Sequence, residues 1–357
     1  MFKETYNIVG VMSGTSLDGI DLAHVNFTIN QGKWNYEILE AETIGYSNDW
    51  LNKLKVAVDF SSEELTTLNQ DYTKLLGEII FSFINRYQIS NLDALCSHGH
   101  TILHQPQKGY TLQIGNLPEI AKYTNQKVVC DFRIQDVQLG GQGAPLVPIG
   151  DRLLFSNYHY CLNLGGFSNV SFEENGNRVA FDIAPVNTVL NFYANKLGFD
   201  YDNKGAISRS GTLNLDLFNE LNSLEYYNLR FPKSLGFEFV KEIVLPLIEK
   251  FEISIEDKLN TFTEHISYQT SIALESFETR NKSMLVTGGG AYNDFLIERM
   301  KFYLPKLQIT IPDNKTLEFK EALIFALLGV LKLRNEINVL RSVTGAKNDH
   351  SSGKIYI

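Results

Sequence analysis

The chemically richest stretch of the chain runs from Gly10 to Asp21 and reads GVMSGTSLDGID. Its glycines let backbone N–H groups approach an anion closely, and its hydroxyl side chains add further donors. The carboxylates of Asp18 and Asp21 could hold a metal ion that bridges to a phosphate. The combination suits a Mg-nucleotide. The same residue types also fill ordinary exposed hairpin loops, so this stretch alone does not decide between the two interpretations.

Two more glycine turns follow later in the chain. Gly165 and Gly166 come after a predicted strand, and Gly288–Gly290 lie between a predicted strand and a predicted helix. Three consecutive glycines are costly in chain entropy, which favours a ligand lying against the backbone near a helix N-terminus over a plain connection. The spacing is not that of a Walker-type phosphate loop.

Asp182 closes a predicted strand just before a helix start. An acid in that place suits a general base, while the alternative is a helix N-terminal acid that complements the helix dipole. Arg133, just after another strand, offers a planar fork for a carboxylate or phosphate, or is a solvated linker residue.

His98, His100 and His104 have a spacing from which imidazoles can converge on zinc. No nearby cysteine or carboxylate completes a ligand set. Polar contacts to a sugar or a phosphate are therefore the favoured interpretation.

The elements that would position these groups repeat along the chain. Residues 20–29 form an extended run that alternates between apolar and polar side chains from Ala23 on, as a half-buried strand does, and Gly10–Asp21 is then a wide turn between antiparallel strands. A helix is predicted around residues 65–83, and Asn116 is expected to cap a short helix. Residues 131–151 show no clear period and are interpreted as a linker or as an active-site crossing between the halves. Each half begins with a three-strand meander, so two similar α/β halves would hold a nucleotide between them.

Bulk properties narrow the function. A length of 357 residues favours two domains, and a net charge of −9 without a long basic run argues against nucleic acid or an anionic membrane as main partner. Three scattered cysteines and the absence of a signal-like N-terminus fit the cytoplasm. The longest apolar run, Ala322 to Leu331, is too short to span a bilayer.

Taken together, these stretches resemble the anhydro-N-acetylmuramic acid kinase family within the actin/sugar-kinase superfamily. The resemblance covers nearly the whole chain. The matching segments are GVMSGTSLDGID (10–21), SHGHT (97–101), DFR (131–133), GGQGAPLVP (140–148), LNLGG with Ser168 and Asn169 (162–169), Asp182 with Pro185 and Asn187, YD-G (201–205), TGGGA-N (287–293), KEA (320–322) and TGA (344–346).

The resemblance implies an α/β fold of two ribonuclease-H-like domains flanking a nucleotide cleft. The N-terminal domain would comprise residues 1–147 and 336–357, and the C-terminal domain residues 148–335. ATP and Mg²⁺ are the implied cofactors, and an anhydro amino sugar is the implied small-molecule partner. The sequence leaves open whether the chain acts alone or as a homodimer.

The family phosphorylates 1,6-anhydro-N-acetylmuramic acid at O6 and opens the anhydro bridge with water, giving N-acetylmuramic acid 6-phosphate for cell-wall recycling. Asp182 matches the family's catalytic aspartate. The expected sugar contacts are His98, Thr101, Arg133, Asn187 and Glu321. Asp18 is the expected metal ligand, although the sequence does not say whether Asp18 or Asp21 lies nearer the ion. The expected nucleotide contacts are Gly14, Thr15, Ser16, Leu17, Asp18, Gly19, Ile20, Asp21, Gly165, Gly166, Asn169, Gly288, Gly289, Gly290 and Asn293.

Three segments depart from the family pattern. DIAPVN (182–187) stands where the family has a sequence close to DTGPGN, SHGHT replaces SHGQT, and KSLGFE (233–238) replaces KSTGRE. Side chains at Ala184 and Val186 could narrow the sugar pocket. Because Asp182, Pro185 and Asn187 remain, the departures are interpreted as those of a branch variant that keeps the activity. Two alternatives stay open, namely a kinase for a different sugar or acyl group, and a non-catalytic nucleotide-switched protein of the same superfamily.

Overall fold

The computed structural model describes residues 2–14, 16–275 and 281–357. The chain divides into two compact units, Met1–Leu154 with Phe319–Ile357, and Phe155–Glu318. Compared with the predicted boundaries, residues 148–154 and 319–335 group with the first unit. A physical reason is the buried ion pair between Lys320 Nζ and Asp151 Oδ1, 2.8 Å apart, which links these two segments.

The first unit is built on a seven-stranded sheet in the order β12-β6-β4-β1-β2-β3, with β5 paired to β4. Its strands are β1 (Thr5–Ser13), β2 (Ile20–Asn30), β3 (Lys33–Ile44), β4 (Ala94–Gln105), β5 (Tyr110–Ile114), β6 (Val128–Cys130) and β12 (Lys354–Tyr356). The alternation predicted for β2 is confirmed where it matters for packing, since Ala23, Val25 and Phe27 are fully buried.

Helices flank this sheet. They are α1 (Asn48–Val56), α2 (Ser62–Arg86), α3 (Glu119–Thr124), α4 (Ile134–Gln138), α5 (Pro148–Leu154) and α15 (Arg341–Thr344). The long helix α14 (Asn314–Leu333) leaves helical geometry at Phe319, next to the unit boundary. Helix α2 begins with a capping box between Ser61 and Glu64 and buries its predicted apolar face.

The second unit contains a five-stranded sheet in the order β11-β10-β7-β8-β9. Its strands are β7 (Tyr160–Leu164), β8 (Phe167–Glu174), β9 (Asn177–Pro185), β10 (Lys282–Thr287) and β11 (Leu307–Thr310). Its helices are α6 (Asn187–Lys196), α7 (Ala206–Ser210), α8 (Leu215–Asn222), α9 (Glu225–Asn228), α10 (Phe237–Phe239), α11 (Leu245–Glu249), α12 (Ile255–Glu275) and α13 (Asp294–Tyr303). A π-helical segment, Val240–Val244, joins α10 to α11.

The two units share a topology. In each, an antiparallel meander is followed by two strands that pair in parallel beside its first strand, namely β4 and β6 in the first unit and β10 and β11 in the second. This is the ribonuclease-H-like arrangement that the sequence resemblance implied. The fold is therefore α/β, with one such sheet in each unit.

Two local predictions were wrong. For residues 131–151 the linker alternative is wrong, because α4 and most of α5 lie within them, whereas the alternative of an active-site crossing is not contradicted. Asn116 does not cap a helix either. Its amide donates to the carbonyl oxygen of His98, and the short helix α3 begins after Pro118 without a side-chain cap.

Among the described residues, no helix combines the length and apolar character that crossing a membrane requires.

Candidate active site

The first glycine turn joins β1 to β2, which pair antiparallel from Thr5–Thr28 to Ser13–Ile20. Ser16 and Asp18 are exposed, whereas the side chain of Ile20 is fully buried and only its backbone can face a ligand. Leu17 has a φ of 63°, and its N–H donates to the Gly14 carbonyl at 3.2 Å. Thr15 lies outside the described residues.

Two charged side chains of the first unit, Asp21 and Arg133, act on a third, Glu321. Asp21 Oδ1 accepts a hydrogen bond from Thr43 Oγ1 at 2.6 Å. Glu321, on α14, keeps contact with solvent, yet the protein around it displaces enough water to raise its pKa. The charge of Arg133 opposes this rise and that of Asp21 adds to it. The structure thus brings together the predicted residues Asp21, Arg133 and Glu321.

His98 orients Arg133. The Nε of Arg133 donates to His98 Nε2 at 2.7 Å, while His98 Nδ1 donates to the Gly99 carbonyl at 2.8 Å. His98 is neutral in this arrangement, because burial and then the nearby guanidinium hold its pKa well below the usual value. Burial lowers the pKa of Arg133 to about 10, so the guanidinium stays charged at neutral pH. Both ring nitrogens of His98 have protein partners, so its influence on a ligand passes through Arg133.

The loop after α4 provides a further hydrogen-bond partner for Arg133. Arg133 Nη1 donates to the Gly143 carbonyl at 2.7 Å, and the Gly143 N–H donates to the buried Asp136 Oδ2 at 2.6 Å. Asp136 Oδ1 accepts from Thr344 Oγ1 at 2.7 Å. Sequence reasoning missed Asp136, and recorded Thr344 only as part of a motif, because 208 residues separate the two partners in the chain.

The remaining polar residues of β4 have other partners. Thr101 accepts from Gln113 Nε2 at 3.3 Å, His100 Nδ1 lies 2.8 Å from Ser13 Oγ, and His104 Nδ1 lies 3.0 Å from Thr111 Oγ1. The three histidines considered as metal ligands therefore have three separate hydrogen-bond partners. Within the described part of the chain, no group of three or more His, Cys, Asp and Glu side chains could hold a metal ion.

In the second unit the two glycine turns meet. Strands β7 and β10 run parallel with Thr287 opposite Asn163, so Gly165 and Gly288 follow neighbouring strand ends. Gly288 has a φ of 84°, and a Cβ atom there would lie 2.6 Å from Asn163 Oδ1, so only glycine fits. Asn187 Nδ2 donates to the Leu164 carbonyl at 3.3 Å, which adds the start of α6 to the same corner.

Asn293 belongs to the same glycine segment but has a structural task. Its Oδ1 accepts the Leu296 N–H at 2.9 Å and caps α13. The residue is 7% exposed, so its side chain offers little surface to a nucleotide.

Asp182 sits in a row of polar residues that crosses three strands. Asn163 is opposite Asn169 in the β7–β8 pair, and Asn169 is opposite Asp182 in the β8–β9 pair. Directly paired residues point to the same face of a sheet, so the predicted Asn169 and Asp182 are side-by-side neighbours. Asn163 was missed as a site candidate, although it stands beside the Gly165-Gly166 turn in the sequence.

The surroundings of Asp182 come from the segment after α9. Its Oδ2 accepts one hydrogen bond, from the Leu235 N–H at 2.9 Å, and its own N–H donates to the Lys233 carbonyl at 3.1 Å. The Tyr226 hydroxyl donates to the Asp182 carbonyl oxygen at 2.7 Å. Burial raises the pKa of the carboxyl, and the Leu235 N–H only partly offsets this. A carboxylate with a raised pKa is a better proton acceptor.

The side chains of Ala184 and Val186, where the chain departs from the family pattern, face inward. Ala184 and Val186 are fully buried in the apolar core of the second unit. Ala184 N–H also donates to Ser168 Oγ, which in turn donates to the Ala184 carbonyl, both at 3.0 Å. These side chains therefore fill the core, and the expectation that they narrow a pocket finds no support.

Replacement of Asp136 tests the loop that holds Arg133. In Asp136→Asn one of the two accepting oxygens becomes an N–H₂ group, so either the Gly143 N–H or the Thr344 hydroxyl loses its present acceptor. We expect the free energy of unfolding, measured with urea, to fall by about 2 kcal/mol. Asp71→Asn, at an exposed position of α2, is the matched control and should stay within about 0.5 kcal/mol. Equal effects of the two substitutions would contradict the structural role of Asp136.

Similar proteins point to one family. The family model described as "Anhydro-N-acetylmuramic acid kinase" matches residues 6–357. An anhydro-N-acetylmuramic acid kinase of Pseudomonas syringae pv. syringae is 33% identical over 98% of each chain. That of Clostridioides difficile is 31% identical over 97% of each. That of Pasteurella multocida is 32% identical over 100% of this chain and 98% of the relative.

Among solved structures, (R)-2-hydroxyglutaryl-CoA dehydratase component A of Acidaminococcus fermentans aligns with 92% of this chain and 99% of its own, at 13% identity and a TM-score of 0.47. The family model and the curated relatives each span almost the entire chain. This chain belongs to the anhydro-N-acetylmuramic acid kinase family.

Proposed function

We propose that the chain is an ATP-dependent kinase that phosphorylates 1,6-anhydro-N-acetylmuramic acid at O6 and opens the anhydro ring with water. The products are N-acetylmuramic acid 6-phosphate and ADP, and the reaction serves peptidoglycan recycling. The single observation that carries the proposal is Asp182, a partly desolvated carboxylate with one side-chain hydrogen bond, at the position of the family's catalytic aspartate. The cytoplasmic location stays a prediction.

In this mechanism Asp182 takes a proton from the water that attacks C1. The water oxygen forms a bond to C1 as the C1–O6 bond breaks, and O6 then forms a bond to the γ-phosphorus as the bond to the ADP oxygen breaks. The Leu235 N–H and the strand pairing of Asp182 hold the carboxylate in one orientation. Its raised pKa lets it accept a proton more readily than an ordinary aspartate does.

The glycine turns are assigned to the nucleotide. Gly165 and Gly166, and the turn from Gly14 to Asp21, bind phosphate oxygens, while Gly288–Gly290 lie near the adenosine. Support for the second unit comes from the convergence of its two turns with Asn187 at neighbouring strand ends. Backbone N–H groups at such turns are suited to anions.

The donor set suits Mg²⁺. This ion is usually held by one or two carboxylates together with substrate phosphates and waters, rather than by a complete protein cage. The exposed Asp18 meets that requirement, with Asp21 close to it in the chain. When bound, Mg²⁺ neutralises charge on the phosphates.

The sugar is assigned first to polar groups of the first unit. Arg133, with its fork held by His98 and Gly143, and Glu321 beside it can bind hydroxyl, amide or carboxylate groups. The lactyl carboxylate of the muramic acid moiety is the natural partner for Arg133. Thr101 and Asn187 are the remaining candidates.

The direct test is ADP release by the purified chain with Mg-ATP, with and without 1,6-anhydro-N-acetylmuramic acid. We expect release that depends on the sugar and a product that carries phosphate at O6. A panel of other amino sugars serves as control. Release with another sugar alone would move the assignment to a different sugar kinase, and nucleotide binding without any release would favour a nucleotide-switched protein.

Asp182→Asn removes the proton acceptor and keeps the side-chain size. We expect kcat to fall by about 10²–10⁴-fold, while the affinity for ATP, measured by calorimetry, stays within about twofold. The exposed Asp200→Asn provides the control and should keep wild-type turnover. Wild-type turnover in Asp182→Asn would overturn the assignment of the base.

The pH profile gives an independent check. Asp182 must be ionised to accept a proton, and burial raises its pKa, so kcat/KM should fall as the pH is lowered through a pKa above the usual ~3.9 of aspartate. The measurement is kcat/KM from pH 4 upward, at saturating ATP. An acidic limb at or below the usual aspartate value would contradict the mechanism.

A further inference from the structure

Four buried or half-buried polar side chains meet where β1 ends and the first glycine turn begins. Ser13 Oγ lies 2.5 Å from the Tyr46 hydroxyl, 2.9 Å from the Tyr72 hydroxyl and 2.8 Å from His100 Nδ1. The two tyrosine hydroxyls lie 2.7 Å apart. Ser13, Tyr72 and His100 are at most 2% exposed. We call these four residues the Ser13 cluster.

The protons of the Ser13 cluster can be assigned by counting. Tyr72 donates to Ser13 and has no second proton, so Tyr46 must donate to Tyr72. Ser13 must then donate to Tyr46, and the remaining contact needs a proton from His100 Nδ1. Burial raises the pKa of both tyrosines and lowers that of His100 to about 4, so all four groups keep these forms at neutral pH.

This assignment explains a departure from the family pattern. The requirement at position 100 is an N–H donor toward Ser13. The family's usual glutamine offers an amide N–H, and the histidine of this chain offers Nδ1–H. SHGHT therefore keeps the donor that SHGQT provides.

The other end of the turn is held by residues 43–46, the short stretch of chain that includes Tyr46. Thr43 Oγ1 donates to Asp21 Oδ1 at 2.6 Å. Gly19 has a φ of 151°, and a Cβ atom there would lie 2.7 Å from the Ile44 carbonyl oxygen, so the backbones touch. Thr43–Tyr46 thus contacts the beginning of the turn through Tyr46 and its end through Thr43 and Ile44.

We propose that Tyr46, acting through Ser13, is a positioning residue that fixes the start of the first glycine turn, at Gly14, for binding the phosphates of ATP. This inference rests on the proposed function, because it takes that turn as a phosphate site. Leu17 in the turn has a positive φ, a conformation that a leucine keeps only when its surroundings enforce it. Small displacements of binding groups are costly, so fixing both ends of the turn raises phosphate affinity.

The test compares ATP with adenosine, both measured by calorimetry without sugar. Tyr46→Phe removes only the hydroxyl, and we expect the Kd for Mg-ATP to rise about tenfold, the scale of one lost buried hydrogen bond, while the Kd for adenosine stays unchanged. Tyr110→Phe, at a residue that is 45% exposed, is the matched control. An unchanged Kd for Mg-ATP, or equal weakening for both ligands, overturns the proposal.

A pair of substitutions at His100 tests the proton assignment. His100→Gln keeps an N–H donor and should hold the Kd for Mg-ATP within about twofold of wild type, whereas His100→Leu should raise it about tenfold. A purely structural role would weaken both ligands, or would fail to separate glutamine from leucine. Equal Mg-ATP affinities of the two variants would overturn the assignment.

Ser16→Ala separates this inference from the proposed function. Ser16 is exposed within the turn, and its loss should weaken Mg-ATP if the turn binds phosphate. If Ser16→Ala weakens Mg-ATP and Tyr46→Phe does not, the positioning role alone is wrong. If neither does, the phosphate assignment of the turn falls with it. Sugar-dependent ADP release by the wild-type chain is judged separately from both results.

Discussion

The charge of Arg133 is the constraint on which the first unit depends. A guanidinium largely withdrawn from water needs partners, because an uncompensated charge in such surroundings is costly. Here the partners are the neutral ring of His98, the Gly143 carbonyl and the nearby charge of Glu321. They come from β4, from the loop after α4 and from α14. One charged side chain therefore ties together parts of the chain that are distant in sequence.

This arrangement extends to the end of the chain. Gly143 reaches Asp136 through its N–H, and Asp136 in turn accepts from Thr344. The Gln142 N–H adds a bond to the Thr344 carbonyl at 2.8 Å. The C-terminal segment thus fixes the loop whose carbonyl orients Arg133. The TGA motif has a task here that neither its composition nor its position in the sequence reveals.

Asp182 in the second unit differs from Arg133 in how far its charge is compensated. Arg133 has compensating partners on several sides, whereas the Asp182 carboxylate accepts a hydrogen bond from the Leu235 N–H, which only partly offsets the effect of burial on its pKa. Burial therefore leaves the pKa of Asp182 raised. A charged group that is balanced by several partners is suited to holding a ligand in place. A carboxylate whose burial is only partly offset has a raised pKa and is suited to accepting a proton.

The sequence predicts what depends on neighbours in the chain. The hairpin around Gly10–Asp21, the repeated meanders and the apolar face of α2 follow from local periodicity and turn chemistry, and the structure has them. Contacts such as Arg133–His98 and Asp136–Thr344 depend on distant segments, so no local pattern indicates them. At Asn116 a local sequence preference competes with a contact to a distant segment. Its local sequence suggests a cap, but a hydrogen bond to the His98 carbonyl takes its side chain.

The same distinction shows why departures from a family motif need a structure before they are interpreted. Ala184 and Val186 replace glycines in a segment beside the proposed base, yet their side chains point into the core. His100 replaces a glutamine and can still supply the donor that Ser13 requires. In each case the local contact determines what the position has to provide, which is buried volume at 184 and 186 and a proton at 100. A residue type that meets this requirement leaves the neighbouring turn or carboxylate in place.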